Sequence, residues 1–157
     1  MHKETSISIT KVTAENIEGF LGLIRKLAEY EKLTPPNEEA QNRLRKDCLS
    51  EKPRFWAYLA CVDGQPAGYI MYYYTYSSFL ASPTLYLEDF FVLETYRRQG
   101  VGKALFDFVK QTAKQQDCGR VEFTVLKWNK LAQGFYAKNK AENLDGWCIY
   151  RVVKDDF

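Results

Sequence analysis

The stretch from Leu85 to Leu126 limits the possible folds more than any other part of this chain. Leu85-Tyr86-Leu87-Glu88-Asp89-Phe90-Phe91-Val92-Leu93 is an apolar run that reads as a strand, interrupted by two adjacent carboxylates. Arg97-Arg98-Gln99-Gly100-Val101-Gly102-Lys103-Ala104 follows as a glycine-containing turn that opens a helix. Val101, Ala104, Leu105, Phe108, Val109 and Thr112 then recur at helical spacing. Gly119 is expected to stop that helix, and Val121 to Leu126 reads as the next strand.

The rest of the chain supplies more strands and helices. Ile7 to Val12 alternates apolar and polar residues, the pattern of a first strand. Thr13 is expected to cap a helix whose apolar face carries Ile17, Phe20, Leu21, Ile24, Leu27 and Ala28. Pro35-Pro36 ends it, and Asn37 before Glu38-Glu39 starts a second helix. Phe55 to Val62 and Gln65 to Tyr76 are strand-like runs joined by Asp63-Gly64, a strong hairpin signal. Ser77 to Pro83 reads as a loop, Asn129 as the cap of a short helix, and Trp147 to Val153 as a last strand. The order β-α-α-β-β-β-α-β-α-β predicts an α+β fold with mixed sheet pairing. Without a repeat, linker or low-complexity tract, residues 1–157 are expected to form one domain.

Composition removes several classes of function. The 157 residues are 46% hydrophobic and 27% charged, an ordinary globular balance. Twenty-two basic and 20 acidic residues leave a formal charge of +2, which gives no support to a nucleic-acid-binding surface. No apolar run approaches the roughly 20 residues that cross a bilayer, and Met1 to Thr10 lacks a signal-peptide core, so a cytoplasmic protein is expected. Cys48, Cys61, Cys118 and Cys148 form no C-x-x-C pair and read as reduced thiols. His2 is the only histidine and stands in a terminus expected to fray. A Ser-His-Asp or Cys-His nucleophile system therefore has no plausible base, and a His-rich metal site cannot be built. Acid–base chemistry must fall to Asp, Glu, Tyr, Lys or water.

Two features carry chemistry. The Glu88-Asp89 pair lies in a strand expected to be largely buried, where a charge is costly unless paired or hydrogen-bonded. Successive strand side chains point to opposite faces, so one packing environment cannot explain both acids. Salt bridging or an exposed strand end is the structural alternative. The glycines of the Arg97–Ala104 turn let backbone N–H groups approach a ligand, and the helix start behind them favours an anion such as a pyrophosphate. A Walker A loop would need Gly at 97 and Ser or Thr at 104, and a dinucleotide fingerprint a glycine at 105. The residues there are Arg97, Ala104 and Leu105.

Arg97 to Gly102 resembles the (Q/R)-x-x-G-x-(G/A) acetyl-CoA signature of GNAT acetyltransferases. Leu27-Ala28-Glu29-Tyr30-Glu31, Met71 to Tyr76, Leu85 to Val92, Trp128-Asn129 and Phe135-Tyr136 look like the diamine (spermidine/spermine) acetyltransferase branch. The resemblance implies the GNAT fold, a mostly antiparallel sheet flanked by helices, and acetyl-CoA as cosubstrate without a metal. It implies that Arg97, Arg98, Gln99, Gly100, Val101, Gly102 and Lys103 form the CoA site, with backbone amides from Arg98 to Lys103 on the pyrophosphate. Phe90, Phe91, Val92 and Asn129 complete that site, with main-chain groups of Phe90 and Val92 on the acetyl carbonyl and the pantetheine arm. Tyr136 would protonate the departing thiolate, and Glu88 would relay a proton from the amine. Glu31, Asp89, Phe79 and Trp147 would join Glu88 around a cationic acceptor, in a homodimer with sites near the subunit boundary.

The chemistry independently suits these assignments. An alkyl amine with a pKa near 10.4 is deprotonated in only about one molecule in 2,500 at neutral pH, a deficit of roughly 4.6 kcal/mol. A carboxylate can both attract the cation and accept its proton. Tyr69, Tyr72, Tyr73, Tyr74 and Tyr76 form an aromatic strand that either packs the sheet or lends residues to the amine site. The branch's usual Asp-Pro-Trp is Ser77-Ser78-Phe79 here, and Lys140 replaces a glycine. An acid and a large aromatic wall suited to a long polycation are thus missing. The expected acceptor is a diamine, polyamine or lysine-like amine such as thialysine. A protein or peptide amine and a non-catalytic acyl-CoA-binding module are the alternatives.

Overall fold

The computed structural model describes residues 5–157, so His2 lies outside the described residues. The chain divides into two compact units, one ending at Phe123 and the other running from Thr124 to Phe157. In the first, a five-stranded sheet is ordered as in the chain: β1 (Ile7–Lys11), β2 (Trp56–Val62), β3 (Gln65–Ser77), β4 (Ser82–Val92) and β5 (Arg120–Glu122). The first three pairings are antiparallel and β4–β5 is parallel, which gives the α+β mixed sheet expected. Asp63 and Gly64 both have positive φ, 49° and 81°, as a tight mirror-image hairpin turn requires.

Helices α1 (Ile17–Glu31) and α3 (Val101–Gln115) pack on opposite faces of the sheet. Strand alternation assigns the faces. Leu59, Tyr69 and Phe91 turn toward Phe20, Leu21 and Leu23 of α1 in one buried cluster. Phe90 meets Phe106, and Tyr58 meets Phe108, on the α3 side. Helix α2 (Glu38–Leu49) buries no residue, and Arg45 ties it to Glu18 of α1 through Nε and Nη2 at 3.0 and 2.8 Å. Asn37 caps α2 as expected, its side chain accepting from the Ala40 N–H at 2.9 Å.

Several expected boundaries move. Asn16, not Thr13, precedes α1; its side-chain oxygen accepts from the Thr13 N–H and folds the turn ahead of the helix. The Ser77–Pro83 loop is shorter than expected, because Ser77 and Ser82 still pair across the hairpin. Helix α3 stops at Gln115, before Gly119, with Asp117 taking the left-handed conformation at φ 51°. The strand expected over Val121–Leu126 ends at Glu122.

In the second unit, Asn129 caps α4 (Lys130–Lys138) through its side-chain oxygen, which accepts from the Ala132 N–H at 3.1 Å. The strand expected over Trp147–Val153 does not form. Trp147, Ile149, Tyr150, Val152 and Val153 are all exposed, and no described strand offers them a ladder. An apolar, β-prone run without a ladder partner cannot satisfy its backbone as a strand. No described helix is long and apolar enough to cross a membrane.

Candidate active site

The two acids of β4 share a face because the strand carries a bulge between them. Across the β3–β4 ladder, Met71 pairs with Asp89 but Tyr72 pairs with Leu87, so Glu88 is the extra residue. The Tyr73–Tyr86 ring contact lies on the α1 face, as do Tyr69 and Phe91, whereas Phe90 lies on the α3 face. Tyr69 and Tyr73 are four residues apart on β3 and project from that same α1 face. The Tyr69 hydroxyl donates to Asp89 Oδ2 at 3.0 Å, and the Tyr73 hydroxyl donates to Glu88 Oε2 at 3.1 Å. Regular alternation would have sent Glu88 to the α3 side. The expectation that the neighbouring acids occupy opposite faces is therefore corrected: the bulge re-aims one of them.

Glu31, the last residue of α1, joins this pair. Lys32, in the left-handed conformation at φ 57°, closes the helix directly after it. Burial pushes the Glu31 carboxyl above its ordinary value. Asp89 is raised further, to about 6, chiefly by burial and in smaller part by Glu88 and Glu31, while the Tyr69 hydroxyl pulls it down. Burial and then the Glu88 charge push Tyr73 to about 12, so it stays a neutral donor. Among the described residues, no ion pair includes Glu31, Glu88 or Asp89. Negative charge thus collects at one end of the α1 face without a basic partner.

The glycine turn is built beside the same strand end. A single 3₁₀ turn, Glu94–Tyr96, leads out of β4. Arg97 then folds back, its Nε donating to the Val92 carbonyl at 3.1 Å and its guanidinium lying 5.0 Å from the Tyr30 ring centroid. Arg98 and Gly100 both have positive φ, 62° and 85°. Gly100 stands at the start of α3, which has no side-chain cap; the bond from the Ala104 N–H to the Gly100 carbonyl opens the helical series. The N–H groups of Val101, Gly102 and Lys103 precede that bond and point along the positive end of the helix dipole. Such an uncapped helix start suits an anionic group. Lys103 itself is drawn to Asp107 along the helix surface. The parallel ladder of β4 with β5 ends at Tyr86–Glu122, before the bulge.

Within the first unit, one expected residue, Phe79, lies elsewhere. Phe79 is fully exposed at the tip of the β3–β4 hairpin, past the Ser77–Ser82 pair, and Ser77 itself stands six residues along β3 from Met71, the partner of Asp89. At about 3.3 Å per residue Ser77 is about 20 Å along the hairpin from the acids, and Phe79 lies beyond it, so the fold does not bring Phe79 together with them. In the second unit, Asn129 is committed to its cap, Tyr136 is buried on α4 with its hydroxyl pushed up by burial, and Trp147 is exposed. Sequence reasoning missed the bulge and the two tyrosine–carboxylate pairs. The Tyr69/Tyr73 spacing on an aromatic strand was their one visible trace.

An α+β sheet whose acid-bearing strand runs into a glycine turn and an uncapped helix is the frame of an acyl-CoA-dependent transferase. Residues 22–140 match the acetyltransferase (GNAT) family, and the chain belongs to it. The chain is 35% identical over 142 residues to the thialysine N-epsilon-acetyltransferase of Bos taurus, covering 83% of each protein. It is 30% identical over 150 residues to the Caenorhabditis elegans protein of the same name, covering 94% of this chain and 92% of that one. A solved structure described as a probable acetyltransferase shares the fold at TM-score 0.80 and 25% identity, covering 93% and 97% of the two chains. The protein is accordingly an acetyltransferase of the GNAT type.

Proposed function

We propose that this enzyme acetylates a primary amine of a small cationic acceptor, a lysine-like amine such as thialysine or a diamine. The observation that carries this reading is the bulge at Glu88. It turns Glu88 and Asp89 to one face, with Glu31 nearby and, among the described residues, no ion pair to neutralise them. Such a face attracts an ammonium group and repels an anion. The two thialysine acetyltransferases named above act, by their names, on an amine of this class.

Acetyl-CoA, when bound, supplies an activated acetyl thioester. The amides from Arg98 to Lys103 hold its pyrophosphate, Arg97 stiffens the turn through Tyr30, and main-chain groups of Phe90 and Val92 steady the acyl end. Asp89 and Glu31 draw in the cationic acceptor. Glu88, exposed beside them, takes the ammonium proton and so restores the nucleophile. Tyr136, whose hydroxyl burial keeps protonated, donates to the departing sulfur. The family match, residues 22–140, extends from the first compact unit into the second, which supports reading the chain as one acetyltransferase domain. We infer a cytoplasmic homodimer. The exposed apolar side chains Tyr76, Phe79 and Leu80 at the hairpin tip support a subunit contact.

Acetyl-CoA turnover across thialysine, ornithine, short diamines, spermidine, aminoglycosides and lysine peptides tests the proposal. Small amines with a free cationic tail should give the highest kcat/KM. A preference for peptides, or no turnover with any amine, overturns it.

A further inference from the structure

Tyr69 is fully buried at the centre of the sheet, and its ring packs edge-on against Phe20 at 5.4 Å and near Phe91 at 6.4 Å. It cannot touch an acceptor. Its hydroxyl nevertheless ends on Asp89 Oδ2, and a ring packed against two core aromatics fixes where that donor points. A phenylalanine would fill the same core space, so the hydroxyl is surplus to packing. We propose that Tyr69 is a positioning residue for acetyl transfer: its hydroxyl holds Asp89 by Oδ2 and leaves Oδ1 presented, as an anion, to the cationic acceptor. This inference rests on the reading of Asp89 as an acceptor-binding acid and extends it to a residue that never meets substrate.

The surroundings make such a brace necessary. Asp89 faces Glu88 from its own strand, Glu31 from α1 and Tyr69 from β3, and burial and both acids favour its protonated form. The Tyr69 hydroxyl is the one influence opposing them. Removing it allows the carboxyl to protonate at higher pH and to turn away from its position.

Tyr69→Phe tests this with two readouts. Carbon-13 NMR of the Asp89 carboxyl in the free protein should show its titration midpoint rising by about one unit. With thialysine as acceptor, the wild-type to variant ratio of kcat/KM should then be about fivefold at pH 6 and near one at pH 8. Acceptor protonation cancels in that ratio. A purely structural role for Tyr69 predicts an unmoved midpoint and the same ratio at every pH, and that result overturns the proposal. Asp89→Asn separates the two layers of argument. If Asp89→Asn lowers kcat/KM but Tyr69→Phe leaves the titration unchanged, the role of Tyr69 is wrong. If the titration moves yet Asp89→Asn leaves kcat/KM untouched, Tyr69 does brace Asp89 and the acceptor-binding role of that acid fails. In the Asp89→Asn background, adding Tyr69→Phe should produce no further pH-dependent change.

Discussion

Asp89 is kept in surroundings that oppose its own charge. Its folded-state value, about 6, lies above the ordinary 3.8 because burial outweighs the Tyr69 hydrogen bond. A group raised on folding contributes stability that is fully present below the unfolded value and is lost as pH rises through the folded one. Between about pH 4 and pH 6, Asp89 therefore turns from neutral to a liability of roughly 1–3 kcal/mol. Asp89→Asn should be more stable than wild type at pH 7 and nearly equal to it at pH 4, while its kcat/KM for a cationic amine falls. Urea denaturation at the two pH values reads the first effect, and a variant less stable at pH 7 contradicts it. The proton carriers part company in another way. Tyr136→Phe keeps the buried ring and should lower turnover by roughly 10²–10⁴ at all pH values. Glu88→Gln should lose most near neutral pH and recover as alkaline conditions supply free amine. Equal pH dependence of the two variants, with chemistry rate-limiting, would show that they do not divide the proton transfers as assigned.

The β4 strand and the turn behind it set the geometry on which these residues depend. Gly68 lies opposite Val92, and a Cβ there would stand 2.5 Å from the Phe91 carbonyl oxygen and 3.2 Å from Val92 Cα. Backbone cannot yield as a side-chain tip can, so Gly68→Ala should cost about 1–3 kcal/mol. Its melting temperature should drop even with acetyl-CoA present. Gly102→Asp acts at the start of α3 and should instead spare the fold while weakening CoA binding, because it sets a negative charge where the pyrophosphate is to sit. Calorimetric titration with CoA checks this, and unchanged affinity in a folded variant removes the basis of the cofactor assignment. Elements like these differ in how far the sequence discloses them. The hairpin at Asp63-Gly64 and the helix starts at Asn37 and Asn129 were legible because one or two residues decide them locally. The glycine turn was legible for the same reason. The bulge was not, since an extra residue exists only relative to the register of the strand opposite. Glu88 and Asp89 could be read as a chemical signal from their cost in an apolar strand, but their common face and their tyrosine partners required the ladder. Trp147–Val153 failed in the other direction: its composition favours a strand, and no neighbour completes one.

At the scale of the whole molecule, hydrophobic side chains remain at the surface in places the fold itself does not explain. Tyr76, Phe79 and Leu80 cluster around one hairpin tip, and exposed Trp147, Ile149, Tyr150 and Val152 follow one another in the second unit. Scattered exposed apolar residues are ordinary, but contiguous groups of large ones mark surfaces that bind something. The proposed homodimer gives the hairpin group a role. Phe79 also lies beyond Ser77, which is itself about 20 Å along the hairpin from the Met71–Asp89 pair, a separation in keeping with an acceptor site near a subunit boundary. Phe79→Ser provides the discriminating variant. The side chain is fully exposed, so its loss should change the unfolding free energy by no more than about 0.5 kcal/mol. Sedimentation velocity at micromolar concentration should find wild type as two copies and Phe79→Ser shifted toward one. Acetyl-CoA binding should persist in the variant while kcat/KM for the amine falls with the fraction of dimer. A wild-type monomer with full activity overturns the assembly. A Phe79→Ser protein that stays dimeric and fully active leaves the dimer standing but removes the hairpin tip from both the interface and the acceptor site.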